Sequence, residues 1–280
     1  MKTAQNAMLR ASEQSLAGHH TVVIGAAQGI GAAVARALAA QGARLTLMGR
    51  RLDALQALAN ELPGDAIAVS VDGSDEAAVQ RAFAVARTAH GPVSRLVNNA
   101  GQAESAPFGK TSLAWWQRFI AVNLTGTFLC TQQALPDMLA ARHGRGINIA
   151  STAGGRGYAC VAACVSSACV SAYVAAYVAV KHGVLGLTRA LALEVAKKGI
   201  TVNAVCPGDT ETGILSASIA TLVASTGRGE AQARAAFEKS NPQGRFVPPD
   251  EVAAAVLCLR SDGAGAVTGQ CISVSGGEVM

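Results

Sequence analysis

Short runs of β-branched and aliphatic residues alternate along this chain with longer stretches in which apolar positions recur every three or four residues. A run of period two or of unbroken aliphatics marks a strand, a period near 3.6 marks a helix, and their regular alternation predicts a parallel sheet covered by helices on both faces. The strands expected are Thr21–Ile24, Arg44–Met48, Ala66–Val71, Arg95–Val97, Ile147–Ala150, Thr201–Val205 and Cys271–Val274. Between the first two, Ile30, Ala33, Val34, Ala37 and Leu38 share one helical face, and Gly42 stands where that helix would stop. No linker or low-complexity tract breaks the pattern, so residues 1–280 are expected to form one α/β domain around a doubly wound parallel sheet of about seven strands.

Composition adds to this picture at a few points. Half the residues are apolar and 15% are charged, which points to a large buried surface and to contacts between subunits. The net charge of +5 comes from scattered lysines and arginines, which gives little support to nucleic-acid binding and is compatible with an anionic small ligand. Seven cysteines, and a start from Met1 to Gly18 that carries Lys2, Arg10 and Glu13, predict a cytoplasmic protein without disulfides. Cys160, Cys164 and Cys169 lack the spacing and the fourth ligand of a zinc site, so no metal is expected. Gly157 to Val180 is uncharged and long enough to cross a bilayer, but its Ala, Ser, Cys and Gly content favours a buried interface helix over a membrane span. An apolar helix face of that kind predicts a homo-oligomer, a dimer or a tetramer.

The first strand runs into Gly25-Ala26-Ala27-Gln28-Gly29-Ile30-Gly31. Missing side chains there permit a tight turn and the close approach of a diphosphate to a helix N-terminus, although a turn without a ligand has the same composition. About 20 positions beyond the glycines, folds that select NAD place a carboxylate for the ribose hydroxyls. Here that place reads Gly49-Arg50-Arg51. Guanidinium forks can grip a phosphate, so NADP(H) is favoured and NAD(H) stays open; the bland alternative is a pair of solvated arginines. Asp72 is either an acceptor for the adenine amino group or a turn residue beside Gly73.

These motifs, with others in order behind them, resemble the short-chain dehydrogenase/reductase family from Thr21 to Gly277. Gly25, Gly29 and Gly31 match its cofactor loop, Asn98-Asn99-Ala100-Gly101 its sheet-stabilising turn, and Asn123 its helix asparagine. Ser151 matches its catalytic serine, Tyr177-Val-Ala-Val-Lys181 its signature pair, and Pro207-Gly208 with Thr212 the segment that closes over the nicotinamide. The resemblance implies a Rossmann-type fold and hydride transfer between a nicotinamide cofactor and a ketone or secondary alcohol. Asn123, Ser151, Tyr177 and Lys181 would then be catalytic. Gly25, Gln28, Gly29, Ile30, Gly31, Arg50, Arg51, Asp72, Asn99, Ala100, Gly101, Pro207, Gly208 and Thr212 would hold the cofactor together with Tyr177 and Lys181.

A spacing of four residues on a helix brings the phenol and the ammonium to one face, where the cation favours phenolate. With the charge of an oxidised nicotinamide added, the Tyr177 pKa is expected to fall from about 10 towards the working pH, making it the acid/base. Ser151 would hydrogen-bond the reacting oxygen. Asn123 would support a water leading from Lys181, or else stabilise a helix kink.

Two features depart from the family pattern. Ile24 stands where threonine is common. Ser151 and Tyr177 are separated by about twice the usual stretch, as if residues 157–176 were a partial duplication, and Cys164 occupies the place of the tyrosine in an uninterrupted pattern. Tyr173 is a rival, yet four residues on from it stands Tyr177, not a lysine. If the added residues extended the helix they would displace the serine, leaving a non-catalytic dinucleotide-binding or scaffold protein; if they looped out, serine and tyrosine would still meet. Residues 213–245, with Ile214, Leu215, Ile219 and Leu222, read as an amphipathic substrate lid. The ending through Gly269 and Ser275-Gly276-Gly277 resembles family members that act on 3-oxoacyl or 3-hydroxyacyl thioesters.

Overall fold

The computed structural model describes residues 16–104, 108–155 and 174–279. Val22, Ile24 and Leu96 face one side of a sheet while Val23 and Val97 face the other, so both sides of these strands are apolar and both must be covered. Seven strands build that sheet: β1 (His20–Ile24), β2 (Arg44–Gly49), β3 (Ala66–Ser70), β4 (Arg95–Asn98), β5 (Gly144–Ile149), β6 (Ile200–Pro207) and β7 (Cys271–Val274). They run parallel in the order β3-β2-β1-β4-β5-β6-β7. Every expected strand is present, with shifted ends in all but β7. The largest shift is at β5, which starts at Gly144 because Gly144, Arg145 and Gly146 pair with Ile200, Thr201 and Val202 without any apolar pattern of their own.

The longer helices are α1 (Gly29–Ala40), α2 (Leu52–Glu61), α3 (Glu76–His90), α4 (Leu113–Ile120), α5 (Gly126–Ala141), α6 (Ala175–Val195), α7 (Gly213–Thr226), α8 (Glu230–Glu238) and α9 (Pro249–Arg260). Val34 and Leu38 of α1 meet Val252 and Val256 of α9 on one face of the sheet. Phe83 of α3, Leu129 and Met138 of α5 and Val195 of α6 cover the other. The chain leaves β3 and returns as β4 on the far side of β1, so the crevice at the carboxyl ends of β1 and β4 is the topological switch point where such folds bind ligands. Helices α7 and α8 pack on each other through Leu215, Ile219, Leu222, Ala233 and Phe237, a cluster separate from the two sheet cores, while Ile214 stays 44% exposed.

No described helix is long and apolar enough to cross a membrane. Residues 157–173 of the uncharged stretch, including Cys160, Cys164, Cys169 and Tyr173, lie outside the described residues. The described cysteines Cys130, Cys206, Cys258 and Cys271 are free thiols.

Candidate active site

At the end of β1 the backbone turns through Gly25 and Gly29, both at positive φ (77° and 55°), which side chains rarely adopt. A Cβ on Gly25 would lie 2.7 Å from the Ala100 backbone, and one on Gly31 would overlap the Gly25 carbonyl and come within 2.5 Å of Asn99 Nδ2. Asn99 Nδ2 donates to that same carbonyl at 2.9 Å. The glycine turn, the Asn99 turn and the start of α1 are therefore in contact with no room for a methyl group. Gln28, the N-cap residue of α1, forms no side-chain cap, which leaves first-turn N–H groups for an outside acceptor.

A cleft runs over these elements, lined by Gly25, Gln28, Gly29 and Ile30, by Arg50, Arg51 and Asp72, and by Asn99, Ala100, Gly101 and Thr212. Arg51 Nη2 donates to Gln28 Oε1 at 2.6 Å, tying the residue that precedes α2 to the glycine turn. Asp72 Oδ1 accepts from the Ser74 backbone and hydroxyl at 2.9 and 2.7 Å, and these bonds hold its carboxyl below the usual range. The turn role of Asp72 is thus present, on a residue that also lines the cleft. Thr212 stands at the start of α7 and its methyl group packs at Gly29, so the segment after Pro207 reaches the glycine turn. Gly208 donates its N–H to Val274 O at 3.0 Å, and a Cβ there would meet the Glu278 carboxylate at 2.7 Å. Narrow backbone, a free helix N-terminus and two guanidinium groups along one cleft fit a dinucleotide phosphate.

Ser151 follows β5, and Tyr177 and Lys181 lie one turn apart on α6. The Ser151 side chain lies close enough to Tyr177 to act on its phenol despite the long intervening stretch. One reason is visible at Gly154, in the short helical turn Thr152–Gly155: its absent side chain lets that turn rest on the Lys181 backbone, where a Cβ would come within 2.9 Å. The Ser151 Oγ also accepts from Ala153 N at 3.2 Å, which orients it. Lys181 is 6% exposed; its Nζ donates to Ile149 O at 3.0 Å and stands 5.6 Å from the centre of the Tyr177 ring.

In the protein alone, burial pushes the Tyr177 phenol up, opposed by the Ser151 side chain, and burial lowers Lys181 to about 8. Desolvation of both groups outweighs the favour a cation does to a phenolate. Cys206, against the Ser151 backbone, is pushed up to about 11 by burial, so its thiol is a packing group rather than a nucleophile.

Asn123 sits at the centre of a π-helical turn, Ala121–Thr125, between α4 and α5. Its Nδ2 donates to Phe119 O at 3.1 Å and its Oδ1 accepts from Gln102 N at 3.2 Å, so it ties the kink to the chain just after Gly101. Sequence reasoning did not find the buried relay behind the site. Asn98 Nδ2 donates to Asn148 Oδ1 at 2.9 Å, and Asn148 Nδ2 to Thr188 Oγ1 at 2.9 Å, joining β4 and β5 to α6 beneath Lys181. Asn148 on a strand and Thr188 in a helix carry no local signal of that pairing.

Comparison with known proteins agrees with this geometry. Residues 25–278 match the family model described as enoyl-(acyl carrier protein) reductase. The chain is 38% identical over 280 residues to the granaticin polyketide synthase putative ketoacyl reductase 1 of Streptomyces violaceoruber, covering 98% of each chain. It is 34% identical over 269 residues to a 3-oxoacyl-[acyl-carrier-protein] reductase of Aquifex aeolicus, covering 95% of this chain and 99% of the relative. Among solved structures, a single-substitution variant of the actinorhodin polyketide ketoreductase with NADPH superimposes with a TM-score of 0.86 at 35% identity, over 95% of this chain and 98% of the other. A match across almost the whole length, on a fold with the glycine turn at its switch point, places this chain in the short-chain dehydrogenase/reductase family of nicotinamide-dependent oxidoreductases.

Proposed function

We propose that the protein interconverts a ketone and a secondary alcohol with NADP(H) as the preferred cofactor, 3-oxoacyl or 3-hydroxyacyl thioesters being the first substrates to try. The observation that carries the reading is the meeting of Ser151 with Tyr177 one helical turn from the buried Lys181 ammonium, which stands 5.6 Å from the centre of the phenol ring. The nicotinamide, when bound, supplies or accepts the hydride. Ser151 holds the reacting oxygen, and Tyr177 gives that oxygen its proton in reduction or removes it in oxidation. Lys181, anchored on Ile149 O, keeps a positive charge beside the phenol ring and stabilises the tyrosinate left behind. Asn123 positions the Gly101–Gln102 backbone that borders Lys181.

The preference for NADP(H) rests on Arg50 and Arg51 lining the cleft, and on the likeness to a ketoreductase solved with NADPH. The substrate class rests on the named relatives. We further infer a dimer or tetramer working in the cytoplasm; a monodisperse monomer in light scattering would refute the assembly. The test of function is a panel of ketones and acyl thioesters with NADPH or NADH, followed at the nicotinamide absorbance. Reduction that falls at least about a hundredfold in Tyr177→Phe is expected. Full activity in that variant removes Tyr177 as the proton donor.

A further inference from the structure

The amino ends of the strands, opposite the cofactor cleft, carry charged groups that the reaction does not use. Arg95 on β4 and Arg145 on β5 are register partners, flanked in the same row by Thr21 on β1 and Thr201 on β6. All four alternate in step with Val23, Val97, Ile147 and Val205, so they face the side of the sheet that α1 and α9 cover. Arg95 and Arg145 are buried, at 2% and 4% exposure. Among the described residues one carboxylate, Asp262, forms ion pairs with them. Its Oδ1 lies 3.4 Å from Arg95 Nη2 and 3.5 Å from Arg145 Nη2, and the same oxygen is 3.5 Å from His143 Nε2. Charge-assisted contacts close to about 2.7–2.9 Å where donor and acceptor fit. One oxygen thus stands among three donors and approaches none of them closely.

The other contacts of the two guanidinium groups are neutral. Arg95 donates to Arg260 O and Ser94 Oγ at 3.4 Å, and Arg145 to Gly144 O at 2.9 Å and to Gly199 O and Ser261 O at 3.4 Å. At the two ends of the row Thr21 Oγ1 and Thr201 Oγ1 are buried without a hydrogen-bond partner, as is His143 Nε2. Burial lowers Arg95 to about 10; Asp262 opposes this and Arg145 adds to it. Desolvated cations that share one loosely held anion lower stability, and a better-fitting anion would offset that.

We propose that this seat is a binding site for a small tetrahedral oxyanion of the size of inorganic phosphate, which takes the place of the Asp262 carboxylate between Arg95, Arg145 and His143. Several oxygens on one centre can face donors that converge from three directions, where a single carboxylate oxygen cannot approach them all. Asp262 heads a short surface turn, Asp262–Ala264, and its side chain is 68% exposed, so it can swing into water and open the seat. The inference is independent of the carbonyl chemistry, which sits at the other ends of the strands.

The test is inorganic phosphate titrated calorimetrically into the full chain saturated with NADP+, so that the arginines of the cofactor cleft are occupied, with ionic strength held constant by sodium chloride. Phosphate should bind the wild type and raise its Tm. Asp262→Ala, which removes the competing carboxylate, should bind phosphate at least about tenfold more tightly. In chloride that variant should melt below the wild type, and phosphate should restore most of the difference. Arg145→Met should lose the response. His143→Ala, at a partly exposed position that does not depend on how Arg145→Met folds, should weaken binding roughly threefold. An Asp262→Ala protein that melts as low in phosphate as in chloride, or binds phosphate no better than the wild type, overturns the proposal and leaves Asp262 a structural counter-ion. Binding unchanged in His143→Ala would put the anion elsewhere and overturns it as well.

Discussion

Replacing Lys181 by methionine separates what this side chain does for the reaction from what it does to the fold. The ammonium is 6% exposed, and burial lowers its pKa from 10.5 to about 8. At about 1.36 kcal/mol per unit, carrying that charge into the folded state lowers stability by about 3 kcal/mol at neutral pH. A methionine side chain is a near match in length and would remove this penalty, but it would strand the Ile149 carbonyl, a loss of about 1 to 2 kcal/mol. The balance predicts a variant more stable than the wild type by about 1 to 2 kcal/mol, which for a domain of this size is a rise in Tm of roughly 2 to 8 °C. Carbonyl reduction should meanwhile fall to background.

The pH dependence gives a second reading of the same quantity. Because the folded pKa is depressed, the unfolded chain binds more protons than the folded one between about pH 8 and 10.5, so the wild type gains stability as pH rises through that window. Urea denaturation followed by tryptophan fluorescence should therefore show the wild type gaining about 2 kcal/mol on Lys181→Met between pH 7 and about pH 9.5. If the variant is less stable than the wild type at pH 7, or the gap between them does not change with pH, the buried ammonium is not the burden inferred from its surroundings.

Two other expectations follow from the same structure. Gly31→Ala places a methyl group on the Gly25 carbonyl and the Asn99 amide; it should weaken NADPH binding at least about tenfold and lower stability by about 1 to 3 kcal/mol, measured by nucleotide titration and thermal unfolding. His20 is 2% exposed, bonded to Gly91 O and Thr46 Oγ1, and lowered from 6.5 to about 4 chiefly by burial. As a base with a depressed pKa it contributes no loss above about pH 6.5, and up to about 3 kcal/mol of stability should disappear as pH falls from there to 4. His20→Gln should flatten that part of the unfolding profile; an unchanged profile would assign the acid sensitivity elsewhere.

Short-range regularities made much of the protein legible in its sequence. Alternating apolar periods located all seven strands and the first helix, because the central strands of a parallel sheet are buried on both faces and are built largely from apolar residues. The glycines of the cofactor turn and the four-residue step from Tyr177 to Lys181 were readable for the same reason: their geometry is set within one turn of backbone. The extra length of β5 was not, since Gly144 to Gly146 become strand only through pairing with β6.

Tertiary structure decided the rest of the site. That Ser151 meets Tyr177 depends on Gly154 lying against the backbone of α6, a contact between segments far apart in the chain. The rise of the Tyr177 pKa in the protein alone follows from burial, which sums over every element packed around the pair and has no counterpart in local spacing. The members of the Asn98–Asn148–Thr188 relay are ordinary polar residues in sequence. Only where the sheet and helices bring them together away from water does their chain of buried hydrogen bonds become a physical fact.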